Sequence, residues 1–427
     1  MVQSGSRLWV RLLVRPLLLV CLLGPALRAN AEGWLIDLSV KGAADAAKAA
    51  GLQPARTYRH FSWAYFRGAE EAEARFTQKA RASGLRVAPN TRYHLLAPPN
   101  DPLYDQQADL NPLGELAADG DMHVQAAWGI RNSAENVVVA IIDSGMQITH
   151  EDLSPNLWTN QAEANGEPGV DDDGNGYVDD LHGWNAVDDN PELSDSLFHG
   201  TRVAGVLGAR GDNGIGVAGT CWRIQMLPVR AFSDQETSSE ILLAALDYVL
   251  GIPEVRIINA SWGSGEDNEA LYEAFRVVQA RGIMAVCGAG NGGHNNDEEP
   301  FYPGSYGLDN IISVAAVNLT GELASFSNYG SSVEVAAQGS DVLTTDPYAG
   351  YYRAMGTSFA TPRVTGAVAL MMAEFPGMSA SVIRNRIIET SRWTAALAGA
   401  SLMGGLIDFA PLLEATPTTV GRWTAYP

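Results

Sequence analysis

The chain has 427 residues, enough for two domains or for one large domain with an appendage. Hydrophobic residues at 46% and charged residues at 18% exclude a mainly disordered chain. The balance of 28 basic against 49 acidic residues, a formal net charge of −21, argues against nucleic acid as a partner, because a phosphate backbone would be repelled.

No apolar run reaches the roughly 18 residues needed to span a bilayer, and three cysteines are too few for a disulfide scaffold. Residues 1–31 carry Arg7, Arg11, Arg15 and Arg28 and no acid. They include an apolar stretch from Leu17 to Leu23 and end in Ala29-Asn30-Ala31, a small-x-small sequence of the signal-peptidase kind. This predicts a secretory signal cut after Ala31, and hence an extracellular or periplasmic protein. The Arg15-Pro16 break makes the segment too short for an anchor helix.

Residues 32–97 form a basic block of ten basic and six acidic residues. Residues 98–427 hold 14 arginines, 43 acids and no lysine; Lys41, Lys48 and Lys79 are the chain's three. Opposite fields favour docking of one block on the other, screened by salt; chance composition is the alternative. Within the first block, Trp34 to Val40 predicts a strand and the Ala-rich residues 42–50 a helix. Thr57 to Phe66 is aromatic and β-like, Ala69 to Ser83 a second helix, and Leu85 to Leu95 extended. That alternation suggests a small α+β domain, followed by a linker at Pro98-Pro99-Asn100-Asp101-Pro102.

The larger block reads as α/β. Val137 to Ile142, Ile224 to Arg230, Val255 to Asn259, Ile283 to Cys287 and Ile311 to Val317 are continuous apolar runs, which suit a parallel sheet covered on both faces. Glu240 to Leu250 and Asn268 to Arg281 predict helices between them, with Leu271, Phe275 and Val278 on one face of the second. Phe359 to Glu374 is a long apolar helix. Gly405 to Asp408 and Phe409 to Leu413 look like closing core elements, and Thr416 to Pro427 like a tail.

Three segments carry chemistry. Asp143 ends the strand Val139-Ala140-Ile141-Ile142, His199-Gly200-Thr201 opens a small-residue helix, and Ser358 lies in Gly356-Thr357-Ser358-Phe359-Ala360-Thr361-Pro362 at another helix start. A serine hydroxyl is a poor nucleophile unless a base is within hydrogen-bond reach and a carboxylate orients the base. Asp143, His199 and Ser358 are those three types. Asn291, in Gly288-Ala289-Gly290-Asn291-Gly292 after a strand, could donate to an oxyanion. Each residue alone is more often a turn former or a helix cap.

Together, and in this order, these segments resemble the active-site motifs of the subtilisin-like serine proteases. The resemblance covers nearly all of residues 98–415 and includes His150-Glu151-Asp152-Leu153, Ala260-Ser261-Trp262-Gly263 and Ala289-Gly290-Asn291. It implies a three-layer fold with a mainly parallel sheet flanked by helices, preceded by a small α+β propeptide. It implies that Asp143 orients the imidazole, His199 is base then acid, Ser358 attacks the carbonyl, and Asn291 stabilises the oxyanion. The backbone of Ser261, Trp262 and Gly263, with Ala289 and Gly290, would pair with an extended substrate. Residues 32–97 would be an inhibitory propeptide and intramolecular chaperone, released between about Leu95 and Tyr104, and 98–427 the catalytic domain. The expected product is a monomeric endopeptidase acting on proteins or peptides.

Calcium enters twice. Asp171, Asp173 and Asn175 stand at positions 1, 3 and 5 of an EF-hand-like loop, with Gly176 at 6 and the Tyr177 carbonyl at 7. The closing Glu is missing, His182 stands at position 12, and Asp179 or Asp180 is expected to close the shell. By resemblance, Asp152 and the loop 211–217 form a tight calcium site, with Asn213, the carbonyls of Gly211, Ile215 and Val217, and Gln106 or Gln107. Asp188, Asp189 and Asp195 could make a third, weak site, but a solvated loop is the favoured reading. Cys221 and Cys287 fall at opposite ends of parallel strands, so no disulfide is expected.

Two departures from the family pattern stand beside His199. Phe198 replaces a common Gly, and Arg202 a second His. They leave room for a rival: a weak or inactive relative acting as a binding protein. An esterase is a poorer rival, because Gly356-Thr357-Ser358-Phe359-Ala360 lacks the final Gly of the Gly-x-Ser-x-Gly elbow.

Overall fold

The fold comes from a computed structural model describing residues 33–69, 72, 76, 80, 84–90, 98–111, 120–348 and 350–414. The predicted signal segment, residues 91–97 at the expected release region, and the whole of the tail lie outside them. The chain divides into two compact units, Met1–His94 and Leu95–Pro427.

In the first unit, β1 (Trp34–Asp37), β2 (Gln53–Thr57), β3 (Trp63–Arg67) and β4 (Val87–Pro89) form an antiparallel sheet in the order β2-β3-β1-β4. The stretch Thr57–Phe66 is therefore not one strand. It turns at residues 58–62, where the Tyr58 and Phe61 rings stack at 4.7 Å and the Ser62 hydroxyl donates to buried Asp37 at 2.6 Å. The helix α1 (Ala43–Ala49) packs Ala43 and Ala47 against Ile36, Leu52 and Phe66. Ala72, Phe76 and Ala80 are helical and buried, one face of the second predicted helix.

The second unit is built on β5 (Ser133–Asp143), β6 (Trp184–Asn185), β7 (Arg223–Arg230), β8 (Val255–Ala260), β9 (Met284–Gly288), β10 (Ile311–Val317) and β11 (Val335–Gln338). A hairpin, β12 (Val342–Asp346) and β13 (Gly350–Ala354), stands apart, and β14 (Arg392–Trp393) and β15 (Gly405–Leu406) return to the main sheet. Its order is β14-β15-β11-β10-β9-β8-β5-β7-β6, parallel except for the edge strand β14.

The helices are α2 (Val124–Trp128), α3 (Gln161–Asn165), α4 (His199–Gly208), α5 (Ser239–Gly251), α6 (Glu269–Ala280), α7 (Thr357–Glu374), α8 (Ala380–Thr390) and α9 (Phe409–Leu413). Successive β5 residues divide between two cores, as a strand buried on both faces requires. Val137, Val139 and Ile141 pack with Val203 and Leu207 of α4 and Val364 and Val368 of α7. Val138, Ala140 and Ile142 pack with Leu246 and Val249 of α5 and Phe275 and Val278 of α6. This is the expected three-layer α/β architecture. It sets α4 and α7 side by side on one face of the sheet.

Candidate active site

Asp143 ends β5 where the strand order reverses, with β7 and β6 on one side and β8 to β11 on the other. Such a switch point is where open α/β sheets form a crevice. The first turn of α4 settles on that strand end because residue 200 is glycine; a Cβ there would lie 2.1 Å from the Gly145 carbonyl oxygen. His199 Nδ1 then donates to Asp143 Oδ1 at 2.8 Å, which leaves Nε2 to accept a proton. The same oxygen accepts from the Ser144 N–H at 2.7 Å, while Asp143 Oδ2 is buried with no donor among the described residues. Burial pushes the imidazole down, but Asp143 and then Asp195 outweigh burial and Arg202, leaving its pKa above the ordinary 6.5.

Asp195 is not part of a solvated loop. It is 7% exposed, and its carboxylate accepts from the N–H groups of Phe198 (2.8 Å) and Thr201 (2.8 Å) at the start of α4. It also accepts from the hydroxyls of Thr201 (2.7 Å) and Ser144 (2.8 Å). Asp195 thus caps the helix that carries His199 and ties it to the strand end that carries Asp143. Sequence reading missed this role; the spacing Asp-x-x-x-His-Gly-Thr before an apolar helix was the available signal.

Ser358 is the second residue of α7. Pro362, four residues on, has no N–H to bond the Ser358 carbonyl. That freed oxygen accepts instead from the Ser261 hydroxyl at 2.9 Å, which ties the start of α7 to the end of β8. The Ser358 hydroxyl donates to the Ser261 carbonyl at 3.1 Å and makes no hydrogen bond to His199. The imidazole nevertheless lies beside this turn, 5.7 Å from the Phe359 ring centre. Asn291 Oδ1 accepts from the Thr357 N–H (2.9 Å) and hydroxyl (3.0 Å). A main-chain N–H can only donate, so the amide orientation is fixed and Nδ2 is left as a spare donor beside the helix start.

Ser261 is buried, and Trp262 donates from Nε1 to the Ile142 carbonyl at 2.9 Å while its ring packs near Phe232 and Phe275. Gly263 lies against Phe301 and Tyr302. Gly290 has φ +108°, and a Cβ there would sit 2.4 Å from the Asn328 amide nitrogen. The Ala289 carbonyl accepts from the Asn296 amide at 2.8 Å. A cavity of about 530 Å³ opens beside Trp262 and Gly263, rimmed by Glu236, Glu266 and Asp267. Among the described residues these three carboxylates have no cationic partner.

The donor sets for a hard cation also take shape. Asp152 is fully buried; it accepts from the Asn213 amide (2.8 Å), the Val217 N–H (3.0 Å) and the Tyr351 hydroxyl (3.1 Å). Burial, reinforced by the Asp101 charge, pushes its pKa up to about 6. The carbonyls of Gly211, Ile215 and Val217 accept no hydrogen bond from any described residue, whereas the Gly216 carbonyl accepts from the Leu103 N–H at 2.8 Å. The N-terminal carboxylate at this loop is Asp101, which accepts from the N–H groups of Asp212 (2.8 Å) and Asn213 (3.1 Å), with Asn100 beside it accepting from the Gly214 N–H at 2.7 Å. Gln107 reaches past the loop and pairs through both side-chain atoms with Ala218, and Gln106 meets Arg353 through its carbonyl. A site crowded with carboxyl and carbonyl oxygens fits Ca²⁺.

In the other loop, Asp171 and Asp173 gather with Glu163 of α3, their carboxylate oxygens within 4.8 Å of one another. Asp179 turns away to the Gly169 N–H, and Asp180 is buried on the Tyr248 hydroxyl (2.9 Å) and the amides of Asn160 and Asn175. Burial pushes Asp180 up to about 6. His182 bonds the Trp158 carbonyl, and the Tyr177 ring packs on Trp184 and Tyr248. Glu163 was not found from the sequence. Its signal was the helix cap Asn160, whose side chain accepts from the Ala162 N–H and donates to Asp173 and Asp180. Cys221 and Cys287 are both free and buried.

Comparison with known proteins now gives the class. Residues 134–408 match the subtilase family model. Thermitase of Thermoactinomyces vulgaris is 30% identical over 295 residues, covering 69% of this chain and 91% of that protein. The major intracellular serine protease of Bacillus subtilis is 32% identical over 248 residues, covering 57% and 70%. Subtilisin-like protease 1 of Plasmodium berghei is 28% identical, and the match spans 69% of this chain but only 52% of that relative. Among solved structures, a protease of Pseudoalteromonas arctica superposes with a TM-score of 0.58 at 27% identity, over 74% of this chain and 99% of that one. The class is that of the serine endopeptidases. The chain belongs to the subtilase family.

Proposed function

We propose that this chain is a secreted, calcium-dependent serine endopeptidase that matures itself from a pre-pro form. The observation that carries the reading is the Asp143–His199 hydrogen bond at 2.8 Å, with Ser358 and the spare Asn291 amide at the adjoining start of α7. In the proposed reaction Ser358 rotates from the Ser261 carbonyl toward Nε2 of His199. His199 takes the hydroxyl proton as Oγ attacks the substrate carbonyl, and Asp143 holds the resulting imidazolium. The Asn291 amide and the N-terminal dipole of α7 stabilise the oxyanion. His199 then protonates the leaving amine, and water repeats the sequence on the acyl-enzyme. Ser261 to Gly263 offer main chain to the acyl side of an extended peptide; Ala289 and Gly290, whose N–H and carbonyls are largely bonded to Val314, Asn296 and Asn328, would frame it instead. The acid-rimmed cavity beside Trp262 and Gly263 supports a preference for a cationic side chain there.

A bound Ca²⁺ would supply structural charge neutralisation, held by Asp101, Asp152, Asn213 and the carbonyls of Gly211, Ile215 and Val217. Glu163, Asp171, Asp173 and Asn175 would hold a second ion. Residues 1–31 act as the signal, 32–97 as the inhibitory propeptide and 98–427 as the catalytic part. No helix among the described residues is long and apolar enough to cross a membrane.

The deciding experiment is intact mass of the secreted product, wild type against Ser358→Ala, expressed with calcium. Loss of residues up to about 97 in the wild type alone supports self-processing by Ser358. If both are processed alike, another protease matures the chain and casein hydrolysis decides the activity. The rival, an inactive binding protein, draws on the Ser358 hydroxyl facing Ser261 rather than His199. A single side-chain rotation reverses that, and such bonds tighten only with substrate bound. An unprocessed, proteolytically silent wild type would establish the rival.

A further inference from the structure

Phe198 and Arg202 flank the catalytic histidine and take no part in the chemistry above. Phe198 has φ +67°, a left-handed conformation in which a bulky side chain is strained, and it stands directly before His199. Tyr348, at the tip of the β12–β13 hairpin, has φ +67° as well and is 84% exposed. The two rings meet edge to face, 6.3 Å apart at 82°. Glycine would relieve both positions if only the turns mattered.

A brace holds the pair in place. Arg202, one turn along α4, stacks its guanidinium 3.9 Å from the Tyr352 ring centre and 5.7 Å from that of Phe198. Its Nε donates to Asp346 Oδ1 at 2.6 Å, and β12 lies on α4 where Gly205 faces Thr344 and Thr345. The cation is consumed inside the brace, so what faces solvent is the ring of Tyr348 and that of Tyr352 beside a half-buried Phe198, with Met355, past the base of the same hairpin and three residues before Ser358, at 69% exposure.

We propose that these side chains form a specificity shelf for the leaving-amine side of the substrate, selecting an aromatic or large aliphatic side chain in the first two residues after the scissile bond. The proposal rests on the protease reading and deepens it. His199 must deliver its proton to the leaving amine, so that amine and the chain beyond it lie on the histidine's side. The acyl-side segments end β8 and β9, whereas the shelf belongs to α4 and the hairpin packed on it. Two strained aromatics held by an arginine brace, one half-buried and one in solvent, have no folding role that smaller residues would not serve better. Phe198, Tyr348 and Met355 are specificity-determining residues in this scheme, and Arg202 is a positioning residue.

The test uses the mature enzyme and internally quenched peptides that share one acyl side but carry Phe or Gly after the scissile bond. A p-nitroanilide with the same acyl side, which has no leaving-side residues, is the reference. In the wild type, kcat/KM for the Phe peptide exceeds that for the Gly peptide by about tenfold. Tyr348→Ala and Phe198→Gly each bring that ratio close to one, and the Phe peptide loses ground against the anilide. Arg202→Gln does the same mainly through KM. Phe198→Gly also does not lower Tm, because it relieves the strained φ. A wild-type ratio near one, or variants that keep the wild-type ratio, overturns the shelf. If no substrate is cleaved the protease reading fails instead. The shelf is then judged by the affinity of the same peptides for the Ser358→Ala protein, where equal affinities overturn it and tighter binding of the Phe peptide sustains it.

Discussion

The carboxylates beside His199 and those of the two acidic loops are all ionisable and all crowded, and they differ in what else surrounds them. Asp195 accepts from Ser144, Phe198 and Thr201, and Asp143 from Ser144 and His199. Directed donors from a helix start stabilise their charge without a metal. In the loops, carboxylates accept main-chain N–H groups too, Asp171 from Gly174, Asn175 and Gly176, but they also face one another. Asp101 raises the pKa of Asp152 after burial has done so, and Glu163, Asp171 and Asp173 converge with no cationic side chain among them. In the proposed reading, preorganised hydrogen bonds ready one site as folded, and converging acids leave the other for a bound cation to complete.

The largest effect tests the directed donors. Asp143→Asn keeps the shape but favours the wrong imidazole tautomer, and kcat falls by about 10⁴, read by active-site-titrated peptide hydrolysis. A variant retaining a tenth of wild-type activity would remove Asp143 from the machinery. Next, Asn291→Ala removes the spare Nδ2 donor, and kcat falls by about 10²–10³ with KM little changed. Because Asn291 Oδ1 also caps α7, Asn291→Asp separates the roles: it keeps the acceptor, loses the donor and stays equally slow.

The loops are broken by removing the cation. Chelation lowers Tm, and restoring calcium at a hundredfold its Kd returns about 2.7 kcal/mol. Asp152→Asn removes most of that gain, because Asp152 is fully buried among the free carbonyls; Asp173→Asn removes less, because Asp173 is exposed. Melting curves with calcium against chelator decide it, and an unchanged calcium response in Asp152→Asn would sink the assignment.

Sequence and structure agree best where period alone decides. Ile311 to Val317 is a strand over those same residues, and Leu271, Phe275 and Val278 are the buried face of α6. Asp143, His199 and Asn291 stand where the pattern of elements pointed, at the end of β5, at the start of α4 and in the bend after β9. The residues around them and around the acidic loops were not legible. Asp195 looked like one acid among many, and only the return of its loop to the start of α4 buries it. Asp101 looked like a linker residue, and Glu163 lies outside the loop whose spacing gave Asp171 and Asp173. The β12–β13 hairpin went unread because Thr344, Thr345, Asp346 and Arg353 leave it without a continuous apolar run, and Tyr348 gives no local sign of its partner Phe198. Such contacts depend on pairs far apart in the chain, which neither propensity nor period encodes.

The smallest predicted effect is also the sharpest check on the charges around His199. In the proposed reaction the neutral imidazole is the base, so kcat/KM is expected to rise with pH as His199 loses its proton. Its pKa is held above 6.5 against burial by Asp143 and Asp195, while Arg202 pulls it down. The acid limb of the wild-type profile therefore lies above the ordinary histidine value. Asp195→Asn removes a negative charge that favours the imidazolium, so the limb moves to lower pH. Arg202→Gln removes a positive charge that disfavours it, so the limb moves to higher pH. Asp195 and Arg202 are both bound into local structure, and simple loosening would move both variants the same way. Opposite displacements in profiles of p-nitroanilide hydrolysis, which avoid the leaving-side shelf, isolate the electrostatic contribution. Displacements of one sign would mean that the two residues act on His199 through its position and not its charge.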